Sequence, residues 1–486
     1  MSNSKNLIDL LLIIAITFGI YMGTLNSGFV WLDHSQIERG ECIIKNVTEL
    51  KNAFIRPLLV TQGKGNYYRP LFKISYTIDY FIYGLNPRGF HFTNLILQVL
   101  NLILLYSILN LLGIERIAVL LSCVLYAILP LNVSSVACLV ARADILSAFF
   151  ILLSFFSFLK FEIGNKKRWY LFSLLGYFLA LLTKEIAIGF LPLMWLWIYW
   201  KQKSKKYIFP YVGITILYLL GRYLILGRIG TRIPLLWGSP YSTLLSSCVG
   251  FFTYLLKSFL PYNLSISDAF PRYNSIFHPL VLVSLVVVCL FILAFLKFMS
   301  SKKIIPALAL GWVLSFYIPI SNLIPALHFW AERFFYVPEI GVIIFLAYVM
   351  DKKSWVRKIV ILALPVFSII NLNYQRCFKN DFLLFQRALK VSKFSREAHT
   401  MLGYLYMEEG DYPQAVYHYT FALQDIPYYY TYVFKPEILN NLGVIYMRLG
   451  IYDKARFYFQ QGLKLSPRNK ELRFNLEFLK NLERPE

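Results

Sequence analysis

An all-α fold, in which a polytopic membrane domain is followed by a soluble helical appendage, is what three features of the sequence predict. Of the 486 residues, 58% are hydrophobic and only 15% charged, against roughly 25% charged in an ordinary soluble domain. Apolar runs of about 20 residues, the length needed to cross a bilayer, recur from Leu7 to Tyr374. From Asn380 the charged fraction rises and the apolar residues become periodic, the pattern of soluble helices. A soluble enzyme is excluded. The 49 Lys and Arg against 26 Asp and Glu, a net charge of +23, belong in such a chain to cytoplasmic loops before they argue for nucleic acid, and no nucleic-acid partner is expected. Six scattered Cys form neither a metal pattern nor a disulfide framework and read as packing residues.

In chain order the expected spans are Leu7 to Leu25, His91 to Leu112, Ile117 to Val140, Ile145 to Phe161, Trp169 to Leu182, Ile186 to Trp200, Tyr207 to Leu226, His278 to Phe298, Ile304 to Asn322, Phe334 to Met350 and Ile359 to Tyr374, about 11 transmembrane helices. The first stretch lacks a basic amino-terminal run and a good cleavage site, so it reads as a span and not as a signal peptide. Four basic clusters share one side by the positive-inside rule: Lys166 to Arg168; Lys201, Lys203, Lys205 and Lys206; Lys302 with Lys303; and Lys352, Lys353, Arg357 and Lys358. That side is consistent only if Leu244 to Leu260 is re-entrant or interfacial. The amino terminus is then cytoplasmic, the loop 26–90 extracytoplasmic, and the appendage extracytoplasmic too. A bacterial inner membrane is the expected location.

The appendage, residues 376–486, carries two 34-residue repeats, 396–429 and 436–469. Leu402, Gly403, Tyr406, Ala415, Tyr419, Ala422 and Pro427 in the first, and Leu442, Gly443, Tyr446, Ala455, Phe459, Gly462 and Pro467 in the second, occupy tetratricopeptide (TPR) positions. Small residues let paired helices approach, large ones fill the gap, and proline ends the second helix. Asp381 to Lys393 resembles the second helix of a degenerate earlier repeat, and Lys470 to Leu482 a capping helix. Such an α-solenoid either presents a concave surface to a partner or braces the membrane domain.

Charged residues near span ends on one face are functional candidates, because a charge at membrane depth costs at least a few kcal/mol. On the extracytoplasmic side these are Asp33, His34, Arg69, Asp79, His91, Arg142, Asp144, Lys184, Glu185, Asp268, Glu332 and Arg333. A pore for one ion sign would need a ring of like charges, whereas this set mixes acids and bases.

The order of their motifs is recognisable: Phe29-Val30-Trp31-Leu32-Asp33-His34 after the first span, then Tyr68-Arg69-Pro70, Gly84-Leu85-Asn86-Pro87, Gly89-Phe90-His91 with Asn94, Ala141-Arg142-Ala143-Asp144, Lys184-Glu185, and Ala331-Glu332-Arg333-Phe334-Phe335-Tyr336-Val337-Pro338. With TPRs following, the chain resembles the transmembrane and TPR-containing O-mannosyltransferase family and its bacterial relatives, in the GT-C superfamily beside the protein O-mannosyltransferases. The resemblance implies a GT-C type membrane domain over 1–375 that transfers a hexose from a polyprenyl-phosphate donor to a hydroxyl of a protein or glycan, with an essential acid in the first external loop. It departs from the family pattern at Leu32, where a first acid usually precedes Asp33, at Asn132 and Ser134, where a His and a Glu are common, and at Gln98, where a histidine is.

On this reading Asp33 is the general base. Arg69, Arg142, Lys184 and Arg333 are candidates for the donor phosphate, guanidinium being suited to grip it bidentately. His34, His91, Asp144, Glu185, Asp268 and Glu332 are candidates to bind or orient substrate. No D-x-D, paired His or Cys cluster demands a metal, so the sequence names no firm cofactor, leaves a divalent metal open, and points to a polyprenyl-phosphate sugar as donor substrate. The expected partners are the membrane lipid donor and an acceptor protein or glycan brought by the TPRs. The alternative is a non-catalytic membrane TPR scaffold or lipid-binding assembly protein.

Overall fold

A computed structural model describes residues 2–61, 64–202, 204–230, 239–324, 329–430 and 433–482; Lys203 of the second basic cluster lies outside them. The chain divides into two units, one built from residues up to Leu264, from Tyr273 and from Trp330 to Asn380, the other from Ser265–Arg272 with the region beyond Asp381. The domain boundary expected after residue 375 thus falls at Asn380, and the segment Ser265–Arg272, expected in the membrane domain, belongs to the second unit.

Among the described residues of the first unit seven helices are long and apolar enough to cross a membrane: Ser4–Asn26, Pro87–Leu111, Leu139–Gly164, Lys205–Leu226, Pro279–Ser300, Glu332–Lys352 and Ser354–Lys379. The helix Arg116–Ile128 continues, bent by 45°, into Pro130–Val136, because Pro130 lacks the N–H that a straight helix would need. Glu185–Trp200 and Ile304–Ile320 are shorter apolar helices, and Lys167–Thr183 has 17 residues. Pro240–Phe259, which contains the stretch read as re-entrant or interfacial, is helical but is not among the seven.

Helix starts follow local chemistry. Pro87 takes a first-turn position behind Asn86, whose side chain accepts from Arg88 N at 3.1 Å, and Pro240 does so behind Ser239, which accepts from Ser242 N at 3.2 Å. The helix Leu139–Gly164 is central, with 72% of its apolar stretch buried, while Pro279–Ser300, at 11%, keeps most of its surface for lipid. Packing around the centre relies on small residues and hydroxyls, as in membrane bundles. A Cβ on Gly176 would lie 3.1 Å from Ser154 N, and one on Gly341 only 2.6 Å from Ala309 O. Ser154 and Ser173 each donate to the other's carbonyl at 2.7 Å.

Before the second long helix the chain forms a short hairpin, Leu58–Thr61 with Lys64–Tyr67, and the helix Pro70–Tyr83. Phe29, Ile37, Phe72, Tyr76 and Phe90 pack there against Leu139, so the first loop has its own core resting on the start of the central helix.

The second unit is a helical stack: Asp381–Val391, Arg396–Glu409, Tyr412–Leu423, Lys435–Arg448, Tyr452–Leu465 and Lys470–Leu482. A Cβ on Gly403 would meet the Tyr419 ring at 2.9 Å, and one on Gly443 the Phe459 ring at 2.4 Å. Glycine at these positions is therefore what admits the large residue across the helix pair. Ser395 caps its helix by accepting from Ala398 N (3.3 Å) and Asp411 by accepting from Gln414 N (3.2 Å). Phe270–Pro271 forms a two-residue ladder with Tyr429–Tyr430, which explains why the preceding loop belongs to this unit.

Candidate active site

The sequence-predicted charges of the first unit meet around the first loop and the head of the central helix. Trp31 adopts a left-handed backbone, φ 56°, which costs a non-glycine residue about 1–2 kcal/mol. Beside that turn Val30 N donates to Asp33 Oδ2 at 3.1 Å. The other oxygen, Oδ1, accepts from Val140 N at 3.1 Å. The Asp33 carboxylate is therefore clamped between the first loop and the central helix, and it is fully buried. His91 Nε2 lies 3.3 Å from Gly28 O and ties the same loop to the helix Pro87–Leu111. His34 instead pairs with Glu38 on the exposed side.

Arg142 is spent internally. Its guanidinium meets Asp79 Oδ2 at 2.6 Å, Asn94 Oδ1 at 2.7 Å, Phe90 O at 2.8 Å and Ser75 O at 3.4 Å, and it lies 4.8 Å over the Tyr76 ring. Its side chain is 0% exposed. In this arrangement it joins the helix Pro70–Tyr83, the helix Pro87–Leu111 and the central helix. Burial holds the Asp79 carboxyl above the usual carboxylate range, against the pull of Arg142.

Two further pairs follow. Lys184 Nζ donates to Asp144 Oδ1 at 2.5 Å and lies 5.0 Å over the Phe334 ring. Burial lowers the Lys184 ammonium below its ordinary value, opposed by Asp144. Arg69 donates Nε and Nη2 to the two oxygens of Glu185, at 3.1 and 2.5 Å, with the Tyr67 ring 4.3 Å from its guanidinium. Glu332 accepts from Lys257 Nζ at 2.9 Å and from Tyr374 OH at 3.0 Å.

Arg333 is different. It is 7% exposed and sits 5.0 Å from both the Trp31 and the Phe334 rings, with no carboxylate in ion-pair range among the described residues. A nearly buried guanidinium held by aromatic faces and not by an anion is matched to an anionic ligand. Asp268 belongs to the second unit. There its neighbours bind repeat residues: Ser267 Oγ donates to Glu397 Oε2 at 2.7 Å and Ala269 N donates to Ser392 Oγ at 3.1 Å. Of the departures from the family pattern, Gln98 accepts from Tyr336 OH and Asn132 Nδ2 donates to Tyr126 O at 3.1 Å, so both act as internal struts. Among the described residues no three His, Cys, Asp or Glu groups converge as a metal site.

Sequence reading missed several members. Lys257, the partner of Glu332, and Arg222, whose Nε donates to Ile229 O at 2.8 Å, are buried. Both are cations inside apolar helices, a signal that was readable. Tyr254 carried no such signal. It stacks on Trp330 (3.8 Å) and Phe335 (4.7 Å) and donates to Ala331 O at 2.8 Å, fixing the segment that bears Glu332 and Arg333.

Comparison with known proteins gives this geometry a family context. Residues 46–239 match the family described as dolichyl-phosphate-mannose-protein mannosyltransferase, and residues 436–469 match the tetratricopeptide repeat. Protein O-mannosyl-transferase Tmtc1 of Drosophila melanogaster is 32% identical over 179 residues, 36% of this chain and 21% of that protein. TMTC4 of Mus musculus is 25% identical over 425 residues, 72% and 57% of the two chains, and TMTC3 of Mus musculus 24% over 473, 85% and 50%. The matches thus span between a fifth and somewhat over half of these relatives' length. Among solved structures, ArnT from Cupriavidus metallidurans bound to undecaprenyl phosphate aligns at a TM-score of 0.40 and 15% identity, over 85% of this chain and 75% of that one. By these sequence matches the chain is similar to the transmembrane, TPR-containing protein O-mannosyl-transferases over part of their length.

Proposed function

We propose that the chain is an integral-membrane glycosyltransferase that moves a sugar, mannose by its likeness to the O-mannosyl-transferases, from a polyprenyl-phosphate donor to a hydroxyl of a protein or glycan on the extracytoplasmic side. The observation that carries this reading is the Asp33 carboxylate, held by two backbone N–H groups, with Arg333, which has no ion pair among the described residues, stacked on Trp31 two residues away. Asp33 takes the proton of the acceptor hydroxyl. The hydroxyl oxygen bonds to the anomeric carbon as the bond from that carbon to the phosphate oxygen breaks, and the phosphate leaves with the electron pair. Arg333 meets the charge that grows on it, with Lys184 and Arg69 as the surrounding cations. Asp144 and Glu185 aim those two cations, Glu332 and His91 position the segments that carry Arg333 and Asp33, and His34 faces the acceptor side. A single displacement inverts the anomeric configuration. The TPR unit, with Asp268 in its adjoining loop, gathers the acceptor protein or glycan by raising its local concentration.

Full-length protein supplied with mannosyl polyprenyl phosphate and a hydroxyl acceptor should yield an inverted glycoside and free polyprenyl phosphate. For sidedness, alkaline phosphatase fused after Glu486 should be active and after Lys206 inactive; activity in the opposite pattern would move the TPR unit to the cytoplasm.

One observation favours a second reading. Both Asp33 oxygens are already occupied by backbone donors and the residue is fully buried, as in a structural clamp, and Leu32 replaces the first acid. A scaffold that binds polyprenyl lipid while its TPRs recruit partners fits that. No transfer from any polyprenyl-phosphate donor, by protein that still retains the lipid, would select it.

A further inference from the structure

At the other end of the first unit's bundle is a cavity of about 590 Å³ lined by Leu159, Glu162, Trp197, Lys201, Lys302 and Lys303, with further aliphatic residues and Tyr348. Glu162 lies 20 residues beyond Arg142 on the central helix, about 30 Å away at 1.5 Å per residue. The cavity is therefore roughly one hydrocarbon thickness from the Asp33 cluster and takes no part in the chemistry proposed there.

Its charge is unbalanced. Lys201, Lys302 and Lys303 are exposed and form no ion pair among the described residues. The acid of the lining, Glu162, accepts from Trp197 Nε1 at 2.7 Å, and Lys201 lies 5.1 Å over the same indole. Lys302 also has a left-handed backbone, φ 55°, at the turn between the helices Pro279–Ser300 and Ile304–Tyr317, where Lys302 N donates to Met299 O (3.2 Å) and Lys303 N to Phe298 O (3.0 Å). Gly or Asn would hold such a turn at less cost, so a lysine there is strained for something other than the turn.

We infer that this cavity binds the phosphate of an anionic lipid headgroup, with the three lysines around the phosphodiester and the aliphatic wall against the first carbons of the acyl chains. Basic pockets between helices, flanked by apolar surface at the membrane boundary, have the charge and polarity that such a headgroup needs. A free phosphate offers the same charge without the chain, and the aliphatic lining favours the lipid.

The test uses full-length protein in nanodiscs and in lipid-depleted detergent, with retained phosphatidylglycerol and phosphatidylcholine counted by native mass spectrometry. The wild type should retain phosphatidylglycerol preferentially. The triple variant Lys201→Ala, Lys302→Ala, Lys303→Ala should bind it about a hundredfold more weakly, from the usual contribution of each lysine near an anionic surface. Replacing Lys166, Lys167 and Arg168, which do not line the cavity, should leave retention unchanged. Lys302→Gly, which relieves the left-handed turn, should raise the Tm slightly yet weaken retention about fivefold, so a folding defect cannot imitate the result. Equal losses from the two triple variants, or no preference for phosphatidylglycerol in the wild type, would overturn the site. Inorganic phosphate raising the Tm as much as phosphatidylglycerol does would keep a phosphate site and overturn the lipid as its occupant.

Discussion

The two units handle buried side chains by different rules. In the helical repeats large residues are admitted by small ones directly across a helix pair, Tyr419 against Gly403 and Phe459 against Gly443, and the stabilising contacts lie within about one repeat. In the membrane unit buried or partly buried cations and acids are matched across long stretches of chain: Lys184 with Asp144, Lys257 with Glu332, Arg69 with Glu185, Arg142 with Asp79. The repeats are held by shape, and the loops around Asp33 are held by charge. Damage should therefore differ in kind: an unpaired buried charge in one unit, a steric clash in the other.

The largest effect should come from Arg142. Arg142→Ala leaves Asp79 buried without its cation and should destabilise the first unit by about 3–5 kcal/mol, while replacing both partners by apolar residues of similar volume should cost much less. Thermal unfolding in detergent measures this, and equal losses for single and double variants would break the contrast. Arg333→Ala should act on the ligand and not on the fold, since no acid among the described residues is ion-paired with it. Losing a charge-assisted hydrogen bond is worth about 1.5–3 kcal/mol, or roughly ten- to a hundredfold in polyprenyl-phosphate affinity, and Arg333→Lys should restore only part of it. Unchanged affinity in both variants would return Arg333 to a packing role.

In the repeats, Gly443→Ala puts a methyl 2.4 Å from the Phe459 ring and should cost about 1–3 kcal/mol, recovered in the double variant with Phe459→Leu; failure of that rescue would argue against packing by shape. The smallest effect is the pH response of the same unit. His399 Nδ1 lies 2.8 Å from His418 Nδ1, and burial, more than the neighbouring ring, pushes His399 down to about 4, while burial also lowers His418. The unfolded chain takes up protons near pH 6.5 and the folded one only below that, so the stability of the repeats should fall as pH drops from about 6.5 toward 4. His399→Gln with His418→Gln should flatten that slope in a pH series of circular-dichroism melts, and a slope unchanged by the double variant would dismiss the pair as its source.

The same difference governs how much the sequence discloses. Gly403, Tyr419, Gly443 and Phe459 were readable as TPR positions, and the helix Lys470–Leu482 ends where its pattern does, because local packing sets both. The charged residues of the membrane unit were readable one at a time but not as pairs, since Arg69 finds Glu185 at 116 positions and Lys257 finds Glu332 at 75. For Arg142 the charge is visible in the sequence, and its pairing with Asp79 is not. The loop Ser265–Arg272, with Asp268, joins the repeats through a two-residue ladder too short to leave a pattern in the sequence.

The central claim is that the clamped carboxylate of Asp33 is a base. Asp33→Asn keeps the shape and one of the two backbone N–H bonds while losing basicity, so sugar transfer per molecule of folded, donor-bound protein is the direct measurement. A fall of about 10²- to 10⁴-fold with polyprenyl-phosphate binding intact is the predicted result. Transfer near the wild-type rate by Asp33→Asn would contradict it and leave Asp33 as a structural clamp.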